Sequence, residues 1–307
     1  MIRACIDIGT NSVKLLVASV EDRRIVDVLL YQTATTRIGQ GIDRTHKLPL
    51  EAIDRTVEAI EVFRQEAERL GASEIIPVAT SAVRDAQNQD VFIQKVIAQT
   101  GLKPQVISGA EEARLTFVGV CSSKPELRSE KLVIVDVGGG SSDFVVAGNG
   151  EIQDAFSVKA GFIRLTEAFL HSDPVTPDEL QNAMDHIVNL IHDRFARVSM
   201  DERHLVGGGG TINILMAILY QRIGQYLPEG AQMQTLQRNE VNALLRYLSR
   251  MKQNDRRQVP GLPPNRADVI VAGAAIFSAI MKILNAKEII VSDRGMRYGV
   301  LLSCYSV

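Results

Sequence analysis

Two short segments of the chain place a carboxylate just ahead of glycine and of hydroxyl or amide side chains. They are Asp7-Ile8-Gly9-Thr10-Asn11-Ser12 and Asp136-Val137-Gly138-Gly139-Gly140-Ser141-Ser142-Asp143. Glycine lets backbone N–H groups come close to an anion, and hydroxyls add further donors. A carboxylate among such donors would repel a phosphate by itself, so its natural partner is Mg²⁺ or a metal-bound water. Either segment alone is more commonly a plain hairpin turn. Two of them, each after a buried strand, point instead to a phosphate site built from a duplicated unit. A third run, Gly207-Gly208-Gly209-Gly210-Thr211, reads as a loop from a strand end to a helix start, where N–H groups face an anion.

Other groups could complete the chemistry. Ser108-Gly109-Ala110-Glu111-Glu112-Ala113-Arg114 opens a helix. Acidic residues in a first turn complement the helix dipole, and here they are also candidates to direct a water. Arg84, in Thr80-Ser81-Ala82-Val83-Arg84 after a strand, can clamp a phosphate or form a surface ion pair. The same two readings hold for Lys159, Arg164, Arg266 and Arg294. The five histidines show no ligand or nucleophile spacing. Cys5, Cys121 and Cys304 match no metal motif, and an odd number suits no disulfide framework, so they read as idle thiols in a reducing cytoplasm.

The elements that must position these groups follow from pattern. Ile2–Ile8, Val13–Val20 and Arg24–Thr33 read as strands of a meander around the first segment. Pro49 opens a helix whose apolar stripe is Ile53, Val57, Ile60 and Phe63, ended by Gly71. Strands follow at Ile75–Ala79 and Gln105–Ile107, with helices at Val91–Gln99 and Ala110–Cys121. The polar stretch Ser122–Glu130, with Pro125, is the natural boundary between residues 1–124 and residues 125–307. The opening pattern then returns as strands Leu132–Val137, Phe144–Ala147 and Glu151–Val158. Thr176-Pro177-Asp178-Glu179 is a capping box for a helix reaching Val198. Beyond it come a strand at His204–Val206, a helix from Thr211, a helix at Asn239–Met251 and a loop at Asn254–Asn265. A buried helix at Arg266–Leu284, a strand at Glu288–Val291 and a last helix at Gly295–Leu302 complete the chain. The result is a duplicated α/β architecture with a cleft between the copies, where ligands favour strand ends.

Composition sets limits. At 307 residues and a soft prior of roughly 150 per domain, the chain has room for two domains. A net charge of −2 excludes a basic surface for a nucleic acid polymer, although a cleft can still be locally basic. Trp is absent, and aromatics at 5% form no stacking platform for bases. The most apolar run, Val269 to Met281, falls short of the roughly 20 residues that span a bilayer, so no membrane partner is expected.

Together the motifs resemble the exopolyphosphatase/guanosine pentaphosphate phosphatase family of the actin-like superfamily. The resemblance is carried by DIGTNSVKLLVA, RIGQGI, ATSAVRDA, VISGAEEARLTFVGV, LVIVDVGGGSSDFVV, GFIRLTEAFL, GGGGTINIL, RADVIVAGAAIF and VSDRGMRYGVL. It runs nearly end to end, and SGAEEAR paired with DVGGGSSD separates this family from sugar kinases. It implies two actin-like (ribonuclease H-like) domains, each with a mixed five-stranded sheet, the last helix at about 294–307 packing back on the first. It implies a metal, Mg²⁺ with Mn²⁺ as substitute and a monovalent ion as a further candidate, held by Asp7, Asp136 and Asp143. Asp143 stands where relatives more often carry Glu. Phosphoryl groups would be held by Gly9, Thr10, Asn11, Ser12, Arg84, Gly138, Gly139, Gly140, Ser141, Ser142, Gly208, Gly209 and Thr211. The catalytic carboxylate falls on Glu112, with Glu111 its neighbour. The implied activity is cytoplasmic hydrolysis of the terminal phosphoryl group of inorganic polyphosphate or of guanosine pentaphosphate, by a homodimer. The helical HD-type domain of longer members is not in this sequence. A small-molecule kinase and a non-catalytic polyphosphate- or nucleotide-binding module are the alternatives from other classes.

Overall fold

The computed structural model describes residues 1–195, 203–222 and 234–303. Cys304 and the expected extension of the long helix to Val198 lie outside the described residues. The chain divides into two units. One is Met1–Ser122 with Arg294–Val307, of which residues 294–303 are described; the other is Ser123–Asp293.

The first unit runs β1 (Ile2–Ile8), β2 (Ser12–Glu21), β3 (Arg24–Thr35), α1 (Ile42–Thr45), α2 (Leu50–Arg69), β4 (Glu74–Ala79), α3 (Ser81–Asp85), α4 (Gln89–Thr100), β5 (Gln105–Val106) and α5 (Gly109–Ser123). Its sheet has the order β3-β2-β1-β4-β5. The first three strands are antiparallel neighbours, and β4 and β5 join in parallel. Alternation along the strands makes two apolar faces. Ala4, Ile6, Ile8, Val13, Leu15 and Val17 pack with Ile53, Val57, Ile60 and Phe63 of α2. Cys5, Leu16, Ala18, Ile76 and Val78 pack on the other side with Leu115 of α5 and with Met296, Tyr298 and Val300–Leu302 from the chain's end.

The second unit repeats the plan with β6 (Lys131–Val137), β7 (Ser142–Gly148), β8 (Glu151–Val158), α6 (Phe162–Phe169), α7 (Pro177–Phe195), β9 (Arg203–Gly208), α8 (Gly209–Arg222), β10 (Gln234–Gln237), α9 (Arg238–Ser249), α10 (Gln253–Arg256), α11 (Ile270–Ile283) and β11 (Glu288–Val291). The last helix, α12 (Met296–Leu302), returns to the first unit. Strands β8-β7-β6-β9-β11 reproduce the first sheet strand for strand and in the same senses. The core joins Phe144, Phe156 and Phe195, whose ring centroids lie 5.0–5.6 Å apart, to the buried helix α11. The expected capping box opens α7: the Glu179 N–H donates to Thr176 Oγ1 at 3.3 Å and the Thr176 N–H to Glu179 Oε2 at 3.0 Å.

Several sequence expectations are corrected. The second sheet has six strands rather than five, because β10 pairs antiparallel with β11. Its sequence, Gln-Thr-Leu-Gln, holds one buried apolar residue, Leu236, and carries no alternation signal. Helices α1, α3, α6 and α10 are each eight residues or shorter and escaped the periodicity reading. Ser81 to Arg84, read only as following a strand, belong to helix α3, with Thr80 at its N-terminal cap position. The glycine run at Gly207 is no loop: β9 continues through Gly208 and α8 starts at Gly209. The buried helix begins at Ile270 rather than Arg266, which belongs to a short 3-10 turn after Pro263.

Candidate active site

In the first unit the β1–β2 turn is closed by the Gly9 N–H donating to the Ser12 carbonyl at 3.1 Å. The Thr10 carbonyl accepts from Gly39 N at 3.0 Å, and the Asn11 carbonyl from Thr36 N and Arg37 N at 3.2 and 2.9 Å. With the carbonyls tied back, the turn presents N–H groups instead. Among the described residues no acceptor is found for the N–H groups of Thr10 and Asn11. Thr10, Asn11 and Ser12 are buried, and Asp7, near the end of β1, lies opposite Lys14 of β2. Gly39 sits against Thr10 and Ala82 with no room for a Cβ, which draws the start of α3 to the turn. The Thr80 N–H, donating to the Ile8 carbonyl at 3.2 Å, fixes the same junction.

Helix α3 then carries Arg84 toward α5. Arg84 Nη1 donates to the Ile107 carbonyl at 2.9 Å and lies 3.3 Å from Glu112 Oε2. Helix α5 is capped by Ser108 Oγ, which accepts the Glu111 N–H at 3.2 Å. The two adjacent glutamates separate sharply. Glu111 forms a two-pronged pair with Arg114 at 2.7 and 2.8 Å on an open flank of the helix. Glu112 is the more enclosed, its side chain 14% exposed against 31% for Glu111. The structure thus groups Glu112 with Arg84 and assigns Glu111 to a surface pair.

In the second unit the β6–β7 turn repeats the closing bond, Gly138 N–H to the Ser141 carbonyl at 2.9 Å. Its carbonyls are again tied back: Phe162 N and Ile163 N at the start of α6 donate to Gly138 and Gly139 at 3.0 and 2.9 Å. Among the described residues the N–H groups of Gly139 and Gly140 have no acceptor. Ser142 Oγ donates to the Ala160 carbonyl at 2.5 Å. Asp136 and Asp143 lie opposite one another across β6 and β7, and Ser141 Oγ is 3.4 Å from Asp143 Oδ2.

The β9–α8 junction completes this unit's site. Gly208 is the register neighbour of Asp136, and a Cβ on Gly209 would collide with Asp136 Oδ1. Gly209 also holds φ at +85°, a conformation glycine adopts without cost. Thr211, buried in the first turn of α8, accepts from Arg266 Nη2 at 3.2 Å, and the Arg266 guanidinium lies 4.1 Å over the Phe162 ring. Arg164 is buried on α6, and desolvation pulls its pKa below the usual guanidinium range. Arg294 instead serves structure, donating to the Ser122 carbonyl at 3.1 Å.

The Ppx/GppA phosphatase family model matches residues 16–306. The chain belongs to the Ppx/GppA phosphatase family. It is 33% identical to exopolyphosphatase 2 of Mycobacterium tuberculosis, over 98% of this chain and 97% of that protein. It is 30% identical to the bifunctional 3-dehydroquinate synthase/phosphatase of Fusobacterium nucleatum, again over 98% of this chain but spanning 46% of that protein. The crystal structure of the Aquifex aeolicus Ppx/GppA family member superposes with a TM-score of 0.81 at 28% identity, covering 98% of this chain and 96% of that one. An exopolyphosphatase from Cytophaga hutchinsonii superposes with a TM-score of 0.89 at 26% identity and the same coverage. The duplicated sheets are therefore the two actin-like domains of this family, and the enzyme is an exopolyphosphatase-like hydrolase.

Two residues inside the quoted motifs, Gly161 and Arg297, make contacts that pattern reading did not single out. Gly161 packs so tightly on the Gly139–Gly140 peptide that a Cβ would overlap it. Its sequence signal is that it opens the motif GFIRLTEAFL, just before α6. Arg297 of α12 stacks over Tyr31, guanidinium carbon to ring centroid 4.5 Å, on the sheet face that holds Cys5. Burial opposes the Arg297 charge, but Tyr31 and Asp7 outweigh it and hold the pKa above the ordinary range. Burial, then the Asp7 carboxylate, push the Cys5 thiol up. Cys5 and Cys121 are buried, and among the described residues neither is in a disulfide. Among the described residues no helix is long and apolar enough to cross a membrane, and no group of three or more His, Cys, Asp or Glu is gathered to hold a metal.

Proposed function

We propose that this phosphatase releases orthophosphate from the end of inorganic polyphosphate, with Glu112 directing the attacking water. The observation that carries this reading is the pairing of Glu112 with Arg84 beside a turn whose Thr10, Asn11 and Ser12 carbonyls are tied back. Hydrolysis at the end of a polyanion needs an oriented water and donors for the equatorial phosphoryl oxygens. Each turn supplies such donors: in the first unit the N–H groups of Thr10 and Asn11 with the hydroxyls of Thr10 and Ser12, in the second the N–H groups of Gly139 and Gly140 with the Ser141 hydroxyl. Glu112 accepts the water proton on its carboxylate, while Arg84 holds that carboxylate in place.

The opposed carboxylates of Asp136 and Asp143 suit a cation that takes one or two carboxylates and keeps most of its waters, as Mg²⁺ does. Mg²⁺, or Mn²⁺ in its place, would be held by Asp136 and Asp143 and would neutralise charge on the phosphoryl oxygens. Gly209 leaves the space that the Asp136 carboxylate occupies.

The test is phosphate release from polyphosphate by purified protein in Mg²⁺, beside Glu112→Gln. A loss of about 10²- to 10⁴-fold is expected for the variant, and equal rates would remove Glu112 from the mechanism. Guanosine pentaphosphate added as a competitor in the same assay reports whether the site prefers the nucleotide. Tight polyphosphate binding without any release would favour a binding module instead.

A further inference from the structure

We infer that Asn213, in the second turn of α8, is a positioning residue that holds the β9–α8 junction against the Asp136 carboxylate. The proposed function is the basis in one respect: Asp136 is taken to hold the cation.

In sequence Asn213 is only a polar residue between Ile212 and Ile214, at the end of the glycine run. In the fold its side chain has two partners. Nδ2 donates to the Gly209 carbonyl, four residues back, at 2.8 Å, and to the Ser292 carbonyl at 3.1 Å. Both partners are acceptors, so the amide nitrogen must face them, and both of its hydrogens are used. Asparagine is the shortest side chain that offers two hydrogens from one uncharged atom.

The two carbonyls belong to different elements. Gly209 opens α8 directly after β9. Ser292 follows β11, is fully buried, and its N–H donates to the Gly207 carbonyl at 2.8 Å. Gly207, Ser292, Asn213 and Gly209 therefore close a ring of hydrogen bonds around the junction. The chain there needs holding, because four successive glycines leave the backbone many alternatives. What the ring holds is the wall beside Asp136. Gly208 is the register partner of Asp136, and a Cβ at Gly209 would collide with Asp136 Oδ1. A swing of the Gly209 peptide would push on that carboxylate or leave a gap behind it. By fixing the peptide, Asn213 limits where the carboxylate can point.

The experiment compares wild type with Asn213→Thr and Asn213→Val, two variants of one shape at a half-buried position. A threonine bonds the carbonyl four residues back, as Thr116 and Thr166 do at 2.9 and 2.8 Å, but has one hydrogen to give. Asn213→Thr therefore keeps the Gly209 bond and gives up the Ser292 bond, and Asn213→Val loses both. Three quantities are read: phosphate release against Mg²⁺ concentration, Mn²⁺ affinity from the free-Mn²⁺ electron paramagnetic resonance signal, and urea unfolding in EDTA. Asn213→Val should weaken Mn²⁺ binding about tenfold and raise the Mg²⁺ concentration for half-maximal rate by the same factor. At saturating Mg²⁺ its KM for polyphosphate should change little. Asn213→Thr should recover most of the Mn²⁺ affinity. Lower stability with wild-type Mn²⁺ affinity in Asn213→Val would overturn the inference, because a residue that only supports the fold behaves that way. Equal Mn²⁺ losses in the two variants would overturn it as well, since the Gly209 bond would then be irrelevant. If wild-type protein neither releases phosphate nor binds Mn²⁺, the functional reading falls instead. A double-mutant cycle of Asn213→Val and Asp136→Asn, unfolded in EDTA, then decides. Non-additive stabilities keep Asn213 acting on Asp136, and additive ones sink the inference.

Discussion

The β1–β2 and β6–β7 turns share one backbone device and differ in lining. In both, the first glycine N–H closes the turn on the third residue after it, and following segments tie the carbonyls back. Position by position, however, Thr10 and Asn11 stand where the second turn has Gly139 and Gly140. Lys14 opposite Asp7 stands where Asp143 lies opposite Asp136. The strand that follows each pair differs in the same direction. Val78-Ala79-Thr80-Ser81 beside the first turn corresponds to Gly208-Gly209-Gly210-Thr211 beside the second. Duplication kept the anion-facing backbone, and side-chain substitution split the local charge. The first turn has a cation against its carboxylate; the second has two carboxylates together. Opposed like charges destabilise a strand pair by themselves, and the proposed Mg²⁺ would offset that repulsion.

Converting one turn toward the other tests that difference. The largest effect is expected for Asp143→Lys, which copies the Lys14 arrangement into the second turn. It should cost several kcal/mol of transition-state stabilisation, on the order of 10³-fold in kcat/KM, and abolish the Mg²⁺ dependence of what remains. A variant that kept both rate and Mg²⁺ response would break the comparison. Next comes Gly209→Ala, which copies Ala79. The left-handed backbone and the Asp136 collision together should cost about 1–3 kcal/mol in urea unfolding, with phosphate release falling more than stability accounts for. Lys14→Asp, the reverse conversion, should raise KM for polyphosphate about tenfold, with kcat less affected and a weaker dependence of KM on salt.

The smallest effect lies away from both turns and concerns stability alone. The backbone N–H of Thr176, aided by Ser172 and His171, holds the Glu179 carboxyl down to about 2. Its folded-state pKa lies below the unfolded value near 4.3. Its contribution is therefore complete above about pH 5 and is lost as pH falls toward 2. Glu179→Gln should lower the thermal midpoint at pH 7 and flatten its fall between about pH 5 and pH 2, without changing kcat.

Much of this was legible in residues alone. The two Asp-Gly turns stand between apolar β-branched runs, and local chemistry of that kind survives any packing. The Thr176–Glu179 box is local too, and α11 is apolar on every side. The fold class followed from recurrence of the same strand–turn–strand pattern a domain length apart. What remained hidden depended on partners distant in sequence. Residues 111 and 112 are alike on paper, and only the rotation of α5 gives one to Arg114 and the other to Arg84. The glycine run at Gly207 looked like a loop because its need for glycine lies in Asp136, some seventy residues earlier. Arg297 lies in the motif VSDRGMRYGVL, but its stacking on Tyr31 is set by how α12 crosses the first sheet. Sequence determined which backbone and side-chain donors exist and that they occur twice. Tertiary structure decided which charge each carboxylate meets, because charge pairing depends on distances that only packing sets.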